Sequence, residues 1–300
     1  MDTELSVVAL LRRFPDEAAA EAWFVAQRWP DGVRCPACNS AHIRSQPTRR
    51  HPFRCRSCRK EFSVKTDSLM HGSHLGYQTW MIALYLFSTH PKGLSSIQLG
   101  KLLGVPQRTA WYLAHRIREN WGEDVVRFAG PVEVDETFVG GLEKNKHESK
   151  KLHAGTGGTG KSIVVGIKDR ATNAVQAAVI AHRDRATLRD FVTVRTEAGA
   201  LVYTDEYAGY EGVPNREFIS HGSKQYVDGD VSTNGIESFW AGLKRAHKGV
   251  YHQMSPKHLP RYVQEFAGRH NQLGLPPLVR MEQLAGRMAG KRLRYAELVG

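Results

Sequence analysis

The stretch VEVDETFVGG, residues 132–141, decides how this chain is read. It is rich in β-branched residues and reads as a strand, with the Asp135 carboxylate at its end, where a rigid element projects a side chain into a cleft. Two further stretches resemble it in function. LVYTDEYAGY (residues 201–210) ends a β-rich run at Asp205, and NGIESFWAGLKR (residues 234–245) opens a helix that carries Glu237. Asp135 and Asp205 are each followed by a glutamate and, within three residues, an aromatic. A single carboxylate in such a place is more often solvated or capping. Three together can hold two divalent ions about 3.5–4 Å apart, the arrangement used for in-line phosphoryl transfer on nucleic acids.

Around these stretches lie further β-rich runs, SIVVGIKD (162–169), AVQAAVIAH (174–182) and ALVYTD (200–205), with a helical stretch ATLRDFVTVRTEAG (186–199) between the last two. A second helix is expected to begin near Ser232–Thr233 and to continue past Lys244. Mixed strands and helices of this kind predict an α/β domain, with bounds 128–272. On the second helix Asn234 lies one turn before Glu237 on the same face, and Lys244 and Arg245 supply two cations for a phosphate. GTGGTGKS (155–162) matches a phosphate-loop pattern letter for letter. The required context is missing, because polar HESKKLHA precedes it and the strand-like IVVGI follows. It reads instead as a connection between two strands, whose Lys150, Lys151 and Lys161, with Lys144 and Lys146, meet DNA backbone. His247, His252, His258 and His270 are spaced too irregularly to read as metal ligands.

Upstream, residues 1–28 form an N-terminal segment with a helix over 14–28 that Asp16 caps. Residues 29–66 contain Cys35-Pro-Ala-Cys38 and Cys55-Arg-Ser-Cys58, two knuckles separated by 16 residues. Two knuckles at this separation close a tetrahedral thiolate site around Zn2+, structural because all four positions are filled by the chain. Arg34, Arg44, Arg49, Arg50, Arg54, Arg56, Arg59 and Lys60 surround it and fit phosphate contact. Residues 75–121 read as three helices. The last two, SSIQLGKLLGVPQRTAWYLAHRIR, resemble a helix-turn-helix, with Ile97, Leu102 and Leu103 inside the first helix and Gly104 at the turn. Val105, Ala110, Leu113 and Ile117 pack the second, and Gln107, Arg108 and Thr109 stand exposed at its start to read DNA. Residues 273–300 are a basic, helical tail.

Composition agrees with this division. Three hundred residues predict two or three domains, and 42 lysines and arginines against 30 acids leave a net charge of +12 that favours a polyanionic partner. No run of about 18 apolar residues exists, and the acidic N-terminus is unlike a secretory signal. The expectation is therefore a cytoplasmic, nucleoid-associated protein.

The combination of WPDGVRCPAC, FRCRSCRKEFSVKTDSLMHGS, LGVPQRTAWYLAHRIR, VEVDETFVGG, KDRAT, YTDEYAGY, NGIESFWAGLKR and MSPKHLPRYVQEFAGRHN resembles the zinc-ribbon-bearing DDE transposases of bacterial insertion sequences, the ISXO-like group. That resemblance spans about Trp29 to Asn271. It implies a ribonuclease-H-like catalytic domain, Mg2+ or Mn2+ at the acidic site, and recognition of terminal inverted repeats followed by cleavage and joining of the 3′-OH to target DNA. By position, Asp135 and Asp205 become metal ligands. The third is Glu237 or Asn234, and the anionic Glu237 is the harder ligand. The implied partners are transposon ends, target DNA, and further copies of the chain assembled on DNA as a homodimer or higher. A zinc-containing transcription regulator and a metal-dependent nuclease without strand transfer are the competing readings.

Overall fold

The computed structural model describes residues 5–122, 125–141, 145, 147–151, 158–219 and 232–300. It divides into two compact units, one of residues 1–120 with 274–300 and the other of residues 121–273.

The first unit opens with helices α1 (Val7–Arg13) and α2 (Glu17–Arg28), capped by Ser6 and Asp16. Pro15 separates them, since the residue before a proline is disfavoured in the helical region. The expected helix over 14–28 is therefore α2, with Asp16 as its cap, and α1 is an additional element. Strands β1 (Ile43–Ser45), β2 (Phe53–Cys55) and β3 (Glu61–Phe62) form a three-stranded antiparallel sheet. Trp29, Phe53 and Phe62 fill its small core, with ring centroids 5.6–5.9 Å apart. Helices α3 (Tyr77–Thr89), α4 (Ser96–Leu103) and α5 (Gln107–Arg118) follow. Gly104 joins the last two in a left-handed conformation, φ 65° and ψ 32°, which only glycine adopts without cost. Gly100 lets the helices approach, because a Cβ there would lie 2.9 Å from the Val105 carbonyl oxygen and 3.6 Å from the Ala110 Cβ. The expected packing of α5 through Ala110, Leu113 and Ile117 is present. The expected inner face of α4 is corrected: Ile97 and Leu102 are 61% and 52% exposed, Leu103 is half-buried, as is Val105 before α5, and the helix packs chiefly through Leu99 and Gly100. A tight glycine contact rotates α4 relative to the face its larger apolar residues suggest.

The second unit is built on strands β4 (Val132–Val139), β5 (Ser162–Asp169), β6 (Val175–Ile180), β7 (Val202–Asp205) and β8 (Arg216–Ile219), with helix α6 (Arg185–Arg195) between β6 and β7. Helices α7 (Asn234–Ala246) and α8 (Leu259–Asn271) follow. The sheet order is β6-β5-β4-β7-β8. The first three strands are antiparallel neighbours, and β7 and β8 run parallel to β4. One face packs on α6 through Val132, Val134, Val165, Leu188 and Phe191. The other packs on α7 and α8 through Val164, Ile236, Trp240, Leu243 and Val263. Ser162 opens β5 directly, as the reading of GTGGTGKS as a strand connection requires; residues 155–157 of that stretch, with Lys144 and Lys146, lie outside the described residues.

Helices α9 (Pro277–Gly286) and α10 (Tyr295–Val299) form the helical tail, and they belong to the first unit, where Met281, Leu284 and Leu298 are buried.

A close contact between helix and sheet in the second unit is at Gly166. It pairs with Asp135 across β4 and β5, and a Cβ there would lie 2.7 Å from the six-membered ring of Trp240. Gly166→Ala should displace Trp240 and destabilise this unit by about 1–3 kcal/mol, read as a lowered midpoint in urea unfolding followed by tryptophan fluorescence. An unchanged midpoint would show that the contact has slack.

Candidate active site

Strand β4 puts three carboxylates near the middle of a covered sheet, and each meets a different environment. Glu133 faces the start of α7. One of its oxygens accepts the Ile236 N–H at 2.9 Å, and the other accepts Arg170 Nε at 2.9 Å. Arg170 Nη2 continues to the carbonyl and hydroxyl of Ser232 at 2.8 and 2.6 Å. A carboxylate at a helix N-terminus satisfies an orphan N–H and opposes the positive end of the helix dipole, so Glu133 fixes where α7 begins. Glu136 points to the opposite side and is buried. It accepts the Tyr210 O–H and pairs with Arg183. Burial pushes its carboxyl above the usual range, while Tyr210 and Arg183 pull it down.

Asp135 is the carboxylate left short. Its Oδ2 accepts the indole N–H of Trp240 at 3.1 Å, and no cation pairs with it among the described residues. Burial first, then the charges of Glu136, Asp205 and Glu237, push its pKa up to about 7. Asp135 is the fourth residue of an eight-residue strand and does not end it, contrary to the sequence expectation. The paired register of β4 with β7 covers only Val132–Val202 and Glu133–Tyr203. Asp135 therefore stands beyond that ladder although its own strand continues. Asp205 does end β7. Its Oδ1 accepts the Tyr207 N–H at 3.1 Å, and the Tyr207 hydroxyl donates to the Arg183 carbonyl at 2.8 Å.

One carboxylate oxygen each from Asp135, Glu136 and Asp205 lies within 4.8 Å of the other two. Hard, anionic oxygens at this spacing suit Mg2+ or Mn2+. The structure thus brings Asp135 and Asp205 together, with Glu136 as an unforeseen third member. Its signal in the sequence was only its position beside Asp135, and strand alternation argues that neighbours face apart. Glu237 lies outside this cluster. It is exposed on the first turn of α7, where Thr233 Oγ1 donates to its Oε1 at 2.9 Å, yet its charge is felt at Asp135. Asn234, Lys244 and Arg245 are exposed on the same helix.

The remaining expected site residues fall as follows. Lys151 pairs with Glu148 at 2.6 Å, Lys161 is half-buried beside Gly140, and the Lys150 side chain lies outside what is described. Gln107 and Arg108 are exposed and Thr109 half-buried at the start of α5. Gln107 Nε2 donates to Ser96 Oγ at 2.8 Å, and Arg108 Nε donates to the Tyr295 hydroxyl at 2.8 Å. Cys35 and Cys58 sulfurs are 3.5 Å apart and those of Cys38 and Cys55 3.6 Å apart, with all four clustered. Zinc–sulfur bonds of about 2.3 Å in a tetrahedron put sulfurs about 3.8 Å apart, so the cluster fits one Zn2+. The residue after each knuckle, Asn39 and Arg59, is left-handed, φ 56° and 64°. The Cys58 N–H pulls the Cys55 thiol down to about 6. Cys38 is pushed up to about 12: a backbone hydrogen bond at Ser40 lowers it, but the thiols of Cys58, Cys55 and Cys35, with burial, outweigh that. Four thiols so close do not all ionise without a cation. All eight cationic side chains read around the module are exposed. Neither acidic nor thiolate cluster contains a histidine.

Residues 127–271 match the ISXO2-like transposase domain, and residues 15–61 match the transposase zinc-ribbon domain. Both matches are to domains of insertion-sequence transposases, and the chain carries the two in order, ribbon first. It is 25% identical over 272 residues to an uncharacterized protein in transposable element ISH50 of Halobacterium salinarum, covering 85% of this chain and 91% of that one. It is also 28% identical over 101 residues to an uncharacterized transposase-like protein of Haemophilus influenzae, covering 32% of this chain and 80% of that one. No helix among the described residues is long and apolar enough to cross a membrane.

The raised pKa of Asp135 has a measurable consequence. Between its ordinary value of 3.8 and about 7, the folded protein holds a proton that the unfolded chain releases. Stability without added divalent metal therefore falls as pH rises through that window. Asp135→Asn removes the effect, so the melting temperature of the variant relative to wild type should be higher at pH 8 than at pH 5. An equal difference at both pH values would mean that Asp135 titrates normally.

Proposed function

We propose that this protein binds the terminal inverted repeats of an insertion sequence, cleaves DNA at the element ends and joins the freed 3′-OH to target DNA. The observation that carries the proposal is the meeting of Asp135, Glu136 and Asp205 within the matched transposase domain, with Asp135 short of compensating charge. The order and directions of the five strands support a ribonuclease-H-like frame for this domain.

Bound Mg2+ or Mn2+ would activate water and then the 3′-OH as nucleophiles and offset charge on the phosphate in the transition state. Asp135 and Asp205 are its proposed ligands, completed by Glu237, with Asn234 orienting it or contacting DNA. Glu136 is held by Tyr210 and Arg183 and serves as a further ligand or as support for Asp135. Trp240 holds Asp135 from the helix side. Lys244 and Arg245, with Lys150, Lys151 and Lys161, attract the DNA backbone. The helix pair α4–α5 acts as the helix-turn-helix, with Gln107, Arg108 and Thr109 facing the ends. The ribbon holds Zn2+ through Cys35, Cys38, Cys55 and Cys58, and its exposed arginines contact phosphates. Copies of the chain assemble on DNA as a homodimer or higher. The domains act as a ribbon over 29–66, a reading module over 75–121 and a catalytic domain over 128–272.

An end-bearing oligonucleotide incubated with a supercoiled plasmid tests this directly, because joined product appears only with strand transfer. Asp135→Asn and Asp205→Asn should each reduce cleavage and joining by roughly 10³-fold or more while end binding persists. Glu237→Gln should act likewise, with Asn234→Ala milder. The reverse order would move the third ligand to Asn234, and full activity in Asp135→Asn would refute the metal mechanism.

Cys55→Ser should release the zinc, measured by metal analysis, and weaken end binding at least tenfold, a loss of about 1.4 kcal/mol. Thermal unfolding of the catalytic domain should be unaffected. A purified wild-type protein without zinc, its four thiols freely titratable, would exclude the structural site.

A further inference from the structure

Two cavities share a wall in the unit formed by residues 1–120 and 274–300. The first, about 450 Å³, is lined by Leu75, Trp80, Tyr112, Tyr295, Arg108 and Arg116. The second, about 480 Å³, is lined by Arg50, His51, Ser63, Lys65, Thr66 and His71. Gly72, Ser73 and His74 belong to both. Each volume lies in the range of sites that enclose small molecules, about 300–1,000 Å³.

The chemistry of the two chambers differs in a way that suits one ligand class. The first presents flat aromatic surface. Tyr112 and Tyr295 meet edge to face at 5.4 Å, and the Arg108 guanidinium lies 4.6 Å over the Tyr295 ring. Arg116 lines the same chamber and is only 7% exposed. Its Nη2 donates to the His71 carbonyl at 3.0 Å and the Tyr112 hydroxyl at 2.7 Å, but its Nε finds no acceptor among the described residues. A buried donor without an acceptor is costly. The second chamber is lined by exposed Arg50, by Lys65, whose ammonium also donates to the Leu75 carbonyl at 2.6 Å, and by Ser63 and Thr66, donors that suit a phosphate. A planar ring linked to a phosphate has the outline of a nucleotide. In duplex DNA the base is stacked and paired, so a nucleotide that enters a chamber must be unpaired.

We propose that this double cavity receives one unpaired nucleotide of the bound DNA, its base against Tyr112 and Tyr295 and its phosphate against Arg50, His51 and Lys65. The proposal rests on the reading of this unit as the part that binds element ends. It adds a local opening of the duplex beside α5, next to the residues proposed to read intact base pairs. Selection of an end would then depend on how easily one position unpairs as well as on base-edge contacts.

The test uses the full-length zinc-loaded protein and a duplex carrying the element's terminal repeat, with a single mismatched pair moved along it. Unpairing has already been met at a mismatch, so one or two adjacent positions should bind about tenfold tighter than the fully paired duplex. Leu75→Trp, which fills the aromatic chamber from a half-buried position, should bring that ratio to about one. Replacing exposed Arg50 together with His51 by alanine should also shrink the ratio, independently of any repacking at Leu75. A flat mismatch profile with paired end DNA still bound in preference to random DNA would overturn the nucleotide site alone, as would an unchanged ratio in both variants. Failure of the wild type to prefer end DNA would overturn the end-binding reading and this site with it.

Discussion

The acidic site depends on a patch of sheet that carries no side chain. Gly166 pairs with Asp135, and the Trp240 indole lies over the bare backbone there while its N–H reaches the Asp135 carboxylate. Helix α7 is fixed at its start by Glu133 and Arg170 and near its middle by Trp240. Two contacts on one helix set both its position along the sheet and its rotation about its own axis. Since Glu237 lies between them, its distance from Asp135 follows from the same two contacts. A side chain at Gly166 would shift the indole and, through it, every acidic group on the helix side.

The three carboxylates of β4 show how charge is distributed in such a site. Glu133 has a guanidinium and a helix N-terminus, and Glu136 has a guanidinium and a phenol. Asp135 has only an indole N–H from a side chain and sits among three other carboxylates. Burying a charge without a partner is unfavourable, and proteins keep such arrangements where function requires them. A dication would supply the missing compensation, which is why the proposed metal site is placed at Asp135. The same logic applies to the four sulfurs of the ribbon, which are crowded beyond what free thiolates tolerate.

Features set by local chemistry were legible from residue order. The two cysteine knuckles, the Asp16 cap, the left-handed Gly104 and four of the five strands of the large sheet each have a signature within a few residues. What depends on distant partners was not. Strand β8 is only four residues long and follows a turn-rich stretch, so periodicity gives it little weight. Helix α8 is amphipathic, but its start at a proline-containing segment was read only as a run of scattered histidines. The inner face of α4 was misassigned because the contact is made by Gly100, a residue with no apolar side chain to count. Glu136 escaped notice because alternation assigns adjacent residues to opposite faces, whereas long side chains beyond the end of a ladder converge. Trp240 stands in a motif quoted for its neighbours, and its bond to Asp135 spans 105 positions.

The unit that holds the ribbon and helices α3–α5 is interrupted in sequence by the whole of the second unit and resumes at Gly274. Arg280 of α9 donates to the Ser88 carbonyl at the end of α3, and the Tyr112 hydroxyl of α5 donates to the Leu293 carbonyl. During synthesis, residues 121–273 are contiguous and can close their core while still near the ribosome. The other unit cannot be completed until its last segment has emerged. A ribosome that stops or shifts frame after Leu273 therefore releases a chain in which the unit of residues 121–273 is complete and the other lacks α9 and α10, so the order of translation makes the discontinuous unit the last to be finished.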